Sequence, residues 1–97
     1  MPIKTFGDSA TEAFFISGQI RKGTKWAAVK KIAGRKLDIL NYAARLGDLR
    51  SPPGNNLEQL SGDLIGNYSI RINDQWRIVF RWTANGSEDV RIIDYHK

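Results

Sequence analysis

Three residues near the chain end, Asp94-Tyr95-His96, form its most concentrated acid/base group. His96 is the sole histidine, and imidazole is the side chain whose ordinary pKa lies near neutrality. Tyr95 can stack on a nucleobase and can give or take a proton. Glu58 is a second acid/base candidate. The same half of the chain carries Arg71, Arg77, Arg81 and Arg91, and its only lysine is Lys97. Arginine's planar fork matches a phosphate in a way that lysine's point charge does not. These types together can cleave RNA through its own 2′-hydroxyl. That reaction needs a base for the hydroxyl, an acid for the leaving 5′-oxygen, and positive charge for the pentavalent phosphate. It needs no metal or cofactor. With no cysteine and one histidine, thiolate chemistry and Cys- or His-built metal cages are not expected. Each candidate also has a plainer reading. His96 can be a solvated terminal residue and Glu58 a surface carboxylate. The arginines can pair across strands with Asp74, Glu88, Asp89 or Asp94.

Positioning these groups falls to a sheet in the second half. Asn67 to Asn73 alternates, with Tyr68, Ile70 and Ile72 on one face and Ser69 and Arg71 on the other. Trp76 to Thr83 alternates too, with Trp76, Ile78, Phe80 and Trp82 opposed to Arg77, Val79 and Arg81. Asn73-Asp74-Gln75 joins these strands as a tight hairpin. Asn85-Gly86 turns the chain into a last strand, about 89–95. Leu57 to Leu60 is a brief strand. Before it, Ser51-Pro52-Pro53-Gly54-Asn55-Asn56 is a breaker cluster and reads as a loop. Asp63 reads as a turn residue.

The first half reads as helical. Ile3 to Phe6 suits a short strand. Asp8 or Ser9 can cap a short helix over Ala10 to Ile16, which Gly18 ends. Thr24 can cap a longer helix closed by Gly47. In it Trp26, Val29, Ala33, Leu37, Leu40 and Ala44 form one apolar stripe, and Lys25, Lys30, Lys31, Arg35 and Lys36 mostly point elsewhere. Gly34 weakens that helix by about 1 kcal/mol relative to alanine. The whole is expected to be α+β, one domain over residues 1–97. Two N-terminal helices should cover one face of a small antiparallel sheet, leaving an arginine-rich face wet.

Of 97 residues, 15 are Lys or Arg and 10 are Asp or Glu, a formal net charge of +5. The excess lies in Arg21, Lys22, Lys25, Lys30, Lys31, Arg35 and Lys36, a run without an acid. A polyanion is the partner such a patch attracts; an acidic protein would use the same patch. The hydrophobic share of 41% with ten aromatics is enough for one core. No run is long and apolar enough to span a membrane, and no signal-peptide pattern opens the chain, so a cytoplasmic protein is expected.

The segments Leu57-Glu58-Gln59-Leu60-Ser61-Gly62-Asp63 and Gly66 through Trp82, with Asp94-Tyr95-His96, resemble the HigB-type toxins of the RelE/ParE superfamily. The size, the helices and the Pro-Pro-Gly-Asn loop fit as well. The resemblance implies a toxin of a type II toxin–antitoxin pair that cuts messenger RNA in the ribosomal A site and inhibits growth. It implies a HigA-like helix-turn-helix antitoxin as partner, with operator DNA met only through the toxin–antitoxin complex. The family's C-terminal acid, tyrosine and histidine fall on Asp94, Tyr95 and His96, and its strand arginine on Arg77. Where some members carry a histidine, this chain has Glu58, and Ser61 replaces a lysine. On this reading His96 is the general acid, or the base if Glu58 is not used. Arg77 stabilises the phosphate, Tyr95 orients a base, and Asp94 orients His96. Arg71, Arg81 and Arg91 guide the RNA backbone, while the basic helix from Lys25 to Lys36 lies on ribosomal RNA. Two rivals share these features: a non-enzymatic gyrase poison of the ParE branch, which needs neither Tyr95 nor His96, and an RNA- or DNA-binding regulatory module without cleavage.

Overall fold

The computed structural model describes residues 1–94, so the expectations for Tyr95 and His96 fall outside the described residues. Helix α1 (Ser9–Ser17) starts where the Asp8 carboxylate accepts the Thr11 backbone N–H at 2.7 Å. It stops at Gly18, whose left-handed backbone (φ 72°) returns an N–H to the Phe14 carbonyl. The longer helix differs from expectation at both ends. Thr24 does not cap it; its hydroxyl donates to the Arg21 carbonyl at 2.7 Å. The chain first makes a single 3-10 turn, Ala27–Val29, and only then enters α2 (Lys30–Tyr42). Beyond Tyr42 the Asp48 carboxylate accepts the backbone N–H groups of Ala44 and Arg45, both at 3.0 Å. That competing acceptor draws the chain out of the helix and into a 3-10 turn over Leu46–Arg50. Ala43 is therefore buried and Ala44 exposed, the reverse of the expected stripe. The cost of Gly34 has a packing reason. A β-carbon there would meet the edge of the Phe14 ring at 3.4 Å, so α1 packs over this glycine.

Four strands follow in order, each antiparallel to the next: β1 (Glu58–Gln59), β2 (Tyr68–Arg71), β3 (Trp76–Thr83) and β4 (Gly86–Asp94). The Asn73 side-chain oxygen closes the β2–β3 hairpin, accepting the Gln75 and Trp76 N–H groups at 2.9 and 2.7 Å. Ile3 to Phe6 is no strand, but it seals the outer edge of β4. Ile3 and Phe6 bridge in parallel to Ser87 and Val90. At Gly86 the Pro2 carbonyl occupies the space a side chain would need, and the backbone has φ 135°, so only glycine fits.

The alternation sorts the two sheet faces. Ile70, Ile78, Phe80, Val90 and Ile92 pack against Ala33, Leu37 and Leu40 of α2, with Trp26 and Trp76 in the same core. The class is the α+β expected, and α2 sets its apolar stripe against the sheet; α1 instead meets β4 through the buried Thr11, whose hydroxyl accepts the Ile92 N–H at 3.3 Å. The other face is less wet than expected, for Ser69 and Val79 on it are fully buried. Among the described residues no helix is long and apolar enough to cross a membrane.

Candidate active site

Cross-strand register assembles the candidate residues on the face opposite the core. Glu58, Ser69, Val79 and Arg91 stand in one row across all four strands. Arg71, Arg77 and Ile93 form the next row. Arg77 sits at the centre and is buried, 9% exposed, which corrects the expectation of a solvent-facing residue. Its Nε donates to Ser69 Oγ at 2.7 Å and its Nη2 to the Asn56 carbonyl at 2.5 Å. Glu58 Oε2 lies 3.8 Å from Nη2. A guanidinium is charged at every accessible pH. Here a fixed positive charge is held in one orientation by a hydroxyl, a carbonyl and a carboxylate.

The other arginines of this face are also engaged. Arg71 pairs with the exposed Asp74 across the hairpin. Arg81 meets Glu88 at 2.9 Å and Asp89 at 3.3 Å. Arg91 donates to the Asn67 side-chain oxygen at 3.2 Å and to the Asp89 carbonyl at 2.7 Å. Pairing with Asp74, Glu88 and Asp89 is the plainer reading of these arginines, and it describes Arg71 and Arg81. A bulge in β4 opposite the Val79–Arg81 stretch produces part of this, since Asp89 within it takes a left-handed backbone (φ 53°). Asp94 is the last described residue of β4; its register partner is Trp76, so strand alternation sets it on the side opposite the Arg77–Ile93 row and the register does not bring it to Arg77. Gln75 Nε2 donates to its carboxylate at 3.1 Å.

The basic segment behaves differently. Lys25, Lys30, Lys31 and Arg35 are exposed, and none has an ion pair among the described residues. Lys25 lies in the turn before the Ala27–Val29 segment, not on a helix. Lys30 and Lys31 open α2 with no acid in its first turn, so they add to the positive end of the helix dipole. Lys36 is the correction. It is buried, and its ammonium donates to the Asn55 side-chain oxygen, so it is not part of the solvent-facing basic surface. Burial pushes its pKa below the ordinary lysine value, and the nearby positive charges of Arg35 and Arg71 push it further down.

Sequence reasoning missed Ser69, Asn55 and Asn56 as members of this site. Ser69 was within reach, because the short hairpin fixes the register that sets it beside Arg77. Asn55 ends a single 3-10 turn, Pro53–Asn55, inside the segment read as a loop, and Asn56 follows it; no periodicity there signals direction. Among the described residues no cluster of three His, Cys, Asp or Glu side chains could hold a metal ion.

A family described as the RelE-like toxin of the type II toxin–antitoxin system HigB matches residues 4–96. The chain is 42% identical over 71 residues to Toxin HigB-1 of Vibrio cholerae, covering 73% of this chain and 74% of that protein. It is also 42% identical over 55 residues to an uncharacterized protein of Haemophilus influenzae, covering 57% of this chain and 54% of that one. The fold resembles a chain of the YoeB–YefM complex from Staphylococcus aureus, with a TM-score of 0.56 and 23% identity over 100% of this chain and 98% of the other.

Proposed function

The chain belongs to the HigB-like family of RelE-like toxins of type II toxin–antitoxin systems, and from that premise we propose that it is a ribosome-dependent endonuclease of messenger RNA. The observation that carries this reading is the oriented Arg77 guanidinium with the Glu58 carboxylate 3.8 Å away. A buried, fixed cation is what a phosphate needs as it gains charge in the transition state, because the protein does not have to reorganise when the charge develops.

In this mechanism the RNA 2′-oxygen attacks the adjacent phosphorus and the P–O5′ bond breaks. The products are a 2′,3′-cyclic phosphate and a free 5′-hydroxyl. Glu58 takes the 2′-proton and His96 gives a proton to the leaving 5′-oxygen; if Glu58 does not act, His96 serves as the base and water protonates the 5′-oxygen. Arg77 stabilises the pentavalent phosphate. Tyr95 stacks on or orients a base, and Asp94 orients His96. Arg71, Arg81 and Arg91 exchange their intramolecular partners for backbone phosphates. Lys25, Lys30, Lys31 and Arg35 meet ribosomal RNA. The cellular partner is a HigA-like helix-turn-helix antitoxin, and operator DNA is bound only as the toxin–antitoxin complex. The protein acts in the cytoplasm, where translating ribosomes are.

Primer extension on a translated reporter message, with and without ribosomes, tests this. Cuts within codons that require ribosomes and vanish for His96→Ala support the proposal. Intact message in cells whose growth has stopped overturns it and points to a gyrase poison.

A further inference from the structure

Lys36 is the most anomalous charge in the fold. It lies on the inner side of α2 with 6% of its surface exposed. An ammonium taken out of water costs several kcal/mol unless it is paired. Among the described residues no carboxylate lies within ion-pair distance of it, and Arg35 and Arg71 repel it. A leucine or methionine would serve the core at lower cost. The sole hydrogen bond of its ammonium among the described residues runs to Asn55.

Asn55 is itself fully buried and uses its whole amide. Its oxygen accepts from Lys36, and its Nδ2 donates to the carbonyls of Leu49 and Ser51, both at 3.1 Å. One side chain thus gathers the Pro-rich loop and ties it to α2. The next residue, Asn56, takes a left-handed backbone (φ 47°) and turns its carbonyl onto the Arg77 guanidinium. Two residues later Glu58 opens β1 beside the same guanidinium. The loop therefore sets two of the groups around Arg77, and Lys36 holds the loop.

We propose that Lys36 is a positioning residue: through Asn55 and the 51–56 loop it fixes the orientation of Arg77 and the approach of Glu58. The catalytic part of this proposal rests on the cleavage reading; the geometric part does not. A misplacement of about 1 Å in a catalytic constellation can lower a rate by about 100-fold. Loosening the loop should therefore act on the chemical step and leave ribosome binding alone.

The test compares wild type with Lys36→Met, read in two ways. The first is the 15N-correlated NMR resonance of the Arg77 Nε–H, located by its shift in Ser69→Ala. In folded Lys36→Met this resonance is expected to move, and its exchange with water to quicken about tenfold or more. The second is single-turnover cleavage on ribosomes, where kcat is expected to fall about 10- to 100-fold with KM within about twofold. Lys36→Arg, which keeps a donor, should restore most of both. If Lys36→Met does not fold, Lys36→Ala, which also removes the donor and adds no bulk to the core, is read by the same criteria. An unmoved Arg77 resonance in a folded variant overturns the proposal, and so does a loss carried by KM alone. If wild type fails to cleave while the resonance moves as expected, the cleavage reading falls and the positioning geometry stands.

Discussion

Arg71, Arg77, Arg81 and Arg91 on the sheet each reach a partner within the chain, whereas Lys25, Lys30, Lys31 and Arg35 around the start of α2 form no ion pair among the described residues. The sheet region, residues 58–94, sets four arginines among six carboxylates, whereas the helical segment from Arg21 to Lys36 has no acid at all. The helical charges meet solvent and are available to a polyanion at no cost beyond their counterions. The sheet charges must first leave a partner. That suits them to a different task. A guanidinium already oriented by a hydroxyl and a carbonyl supplies direction, while a solvated lysine supplies attraction. Under the proposed function, binding falls to one region and chemistry to the other.

The largest effect expected is at Arg77. Arg77→Gln should lower cleavage about 100- to 1,000-fold, as removal of one transition-state donor does elsewhere. It should also cost about 1–3 kcal/mol of stability, since Ser69 Oγ and the Asn56 carbonyl lose the donor they share. Single-turnover cleavage and urea denaturation measure the two. A variant that cleaves within about threefold of wild type would remove the sheet face from the chemistry.

Next comes the unpaired region. Neutralising Lys25, Lys30, Lys31 and Arg35 together to glutamine should weaken ribosome binding about 10- to 100-fold near physiological salt. The slope of log affinity against log salt should become shallower by about 0.7–0.9 for each phosphate that the variant no longer neutralises. Cleavage at saturating ribosome concentration should hold within about twofold. Filter binding over a salt series gives the slope. An unchanged slope would mean that these charges face solvent in the complex as well.

How far this contrast was readable from the sequence depends on the backbone involved. β3 was legible to its last residue, because Trp76 to Thr83 alternates without interruption and a short hairpin fixes its neighbour. Arg77 and Glu58 could be named as candidates from their types and strands, and the structure brings the two side chains within 3.8 Å. The burial of Arg77 could not be named, because it depends on a carbonyl from a Pro-rich loop with no period of its own. Lys36 was misread for a related reason. It sits beside Leu37 at the edge of the apolar stripe, so helical spacing alone leaves its direction open. Only the amide of Asn55, nineteen residues on, draws it inward. The end of α2 was lost to one side chain, Asp48, capturing two backbone donors.

A smaller effect probes the pairing itself. If Glu88 and Asp89 restrain Arg81, then Glu88→Gln with Asp89→Asn should free it and raise affinity for single-stranded RNA about two- to fivefold. Asparagine tolerates the left-handed backbone that Asp89 adopts, so the bulge should persist. Removing any two negative charges also raises affinity through net charge. The control is Glu12→Gln with Asp63→Asn, two exposed acids with no ion pair among the described residues. Fluorescence anisotropy with a labelled oligoribonucleotide compares the pairs. Equal gains would assign the effect to net charge and leave the Arg81 clamp without a role in binding.

The smallest effect separates Lys36 from the lysines it neighbours in sequence. Burial, then Arg35 and Arg71, lower its pKa in the folded chain below the ordinary 10.5. Between that lowered value and 10.5 the unfolded chain carries the proton and the folded chain gives it up. The unfolded state then binds more protons, so the free energy of unfolding from this group rises with pH across that window. Below the window both states are charged and the cost of burying the charge is fully present; above it both are neutral and the cost is gone. Contributions from other groups cancel in the difference between wild type and Lys36→Met. Urea denaturation of both proteins from about pH 7.5 to about pH 10 should show that difference moving in favour of wild type as pH rises. The same experiment on Lys31→Met should give a flat difference, because Lys31 is exposed. A flat line for Lys36→Met as well would return Lys36 to the solvated set and dissolve its distinction from the basic surface.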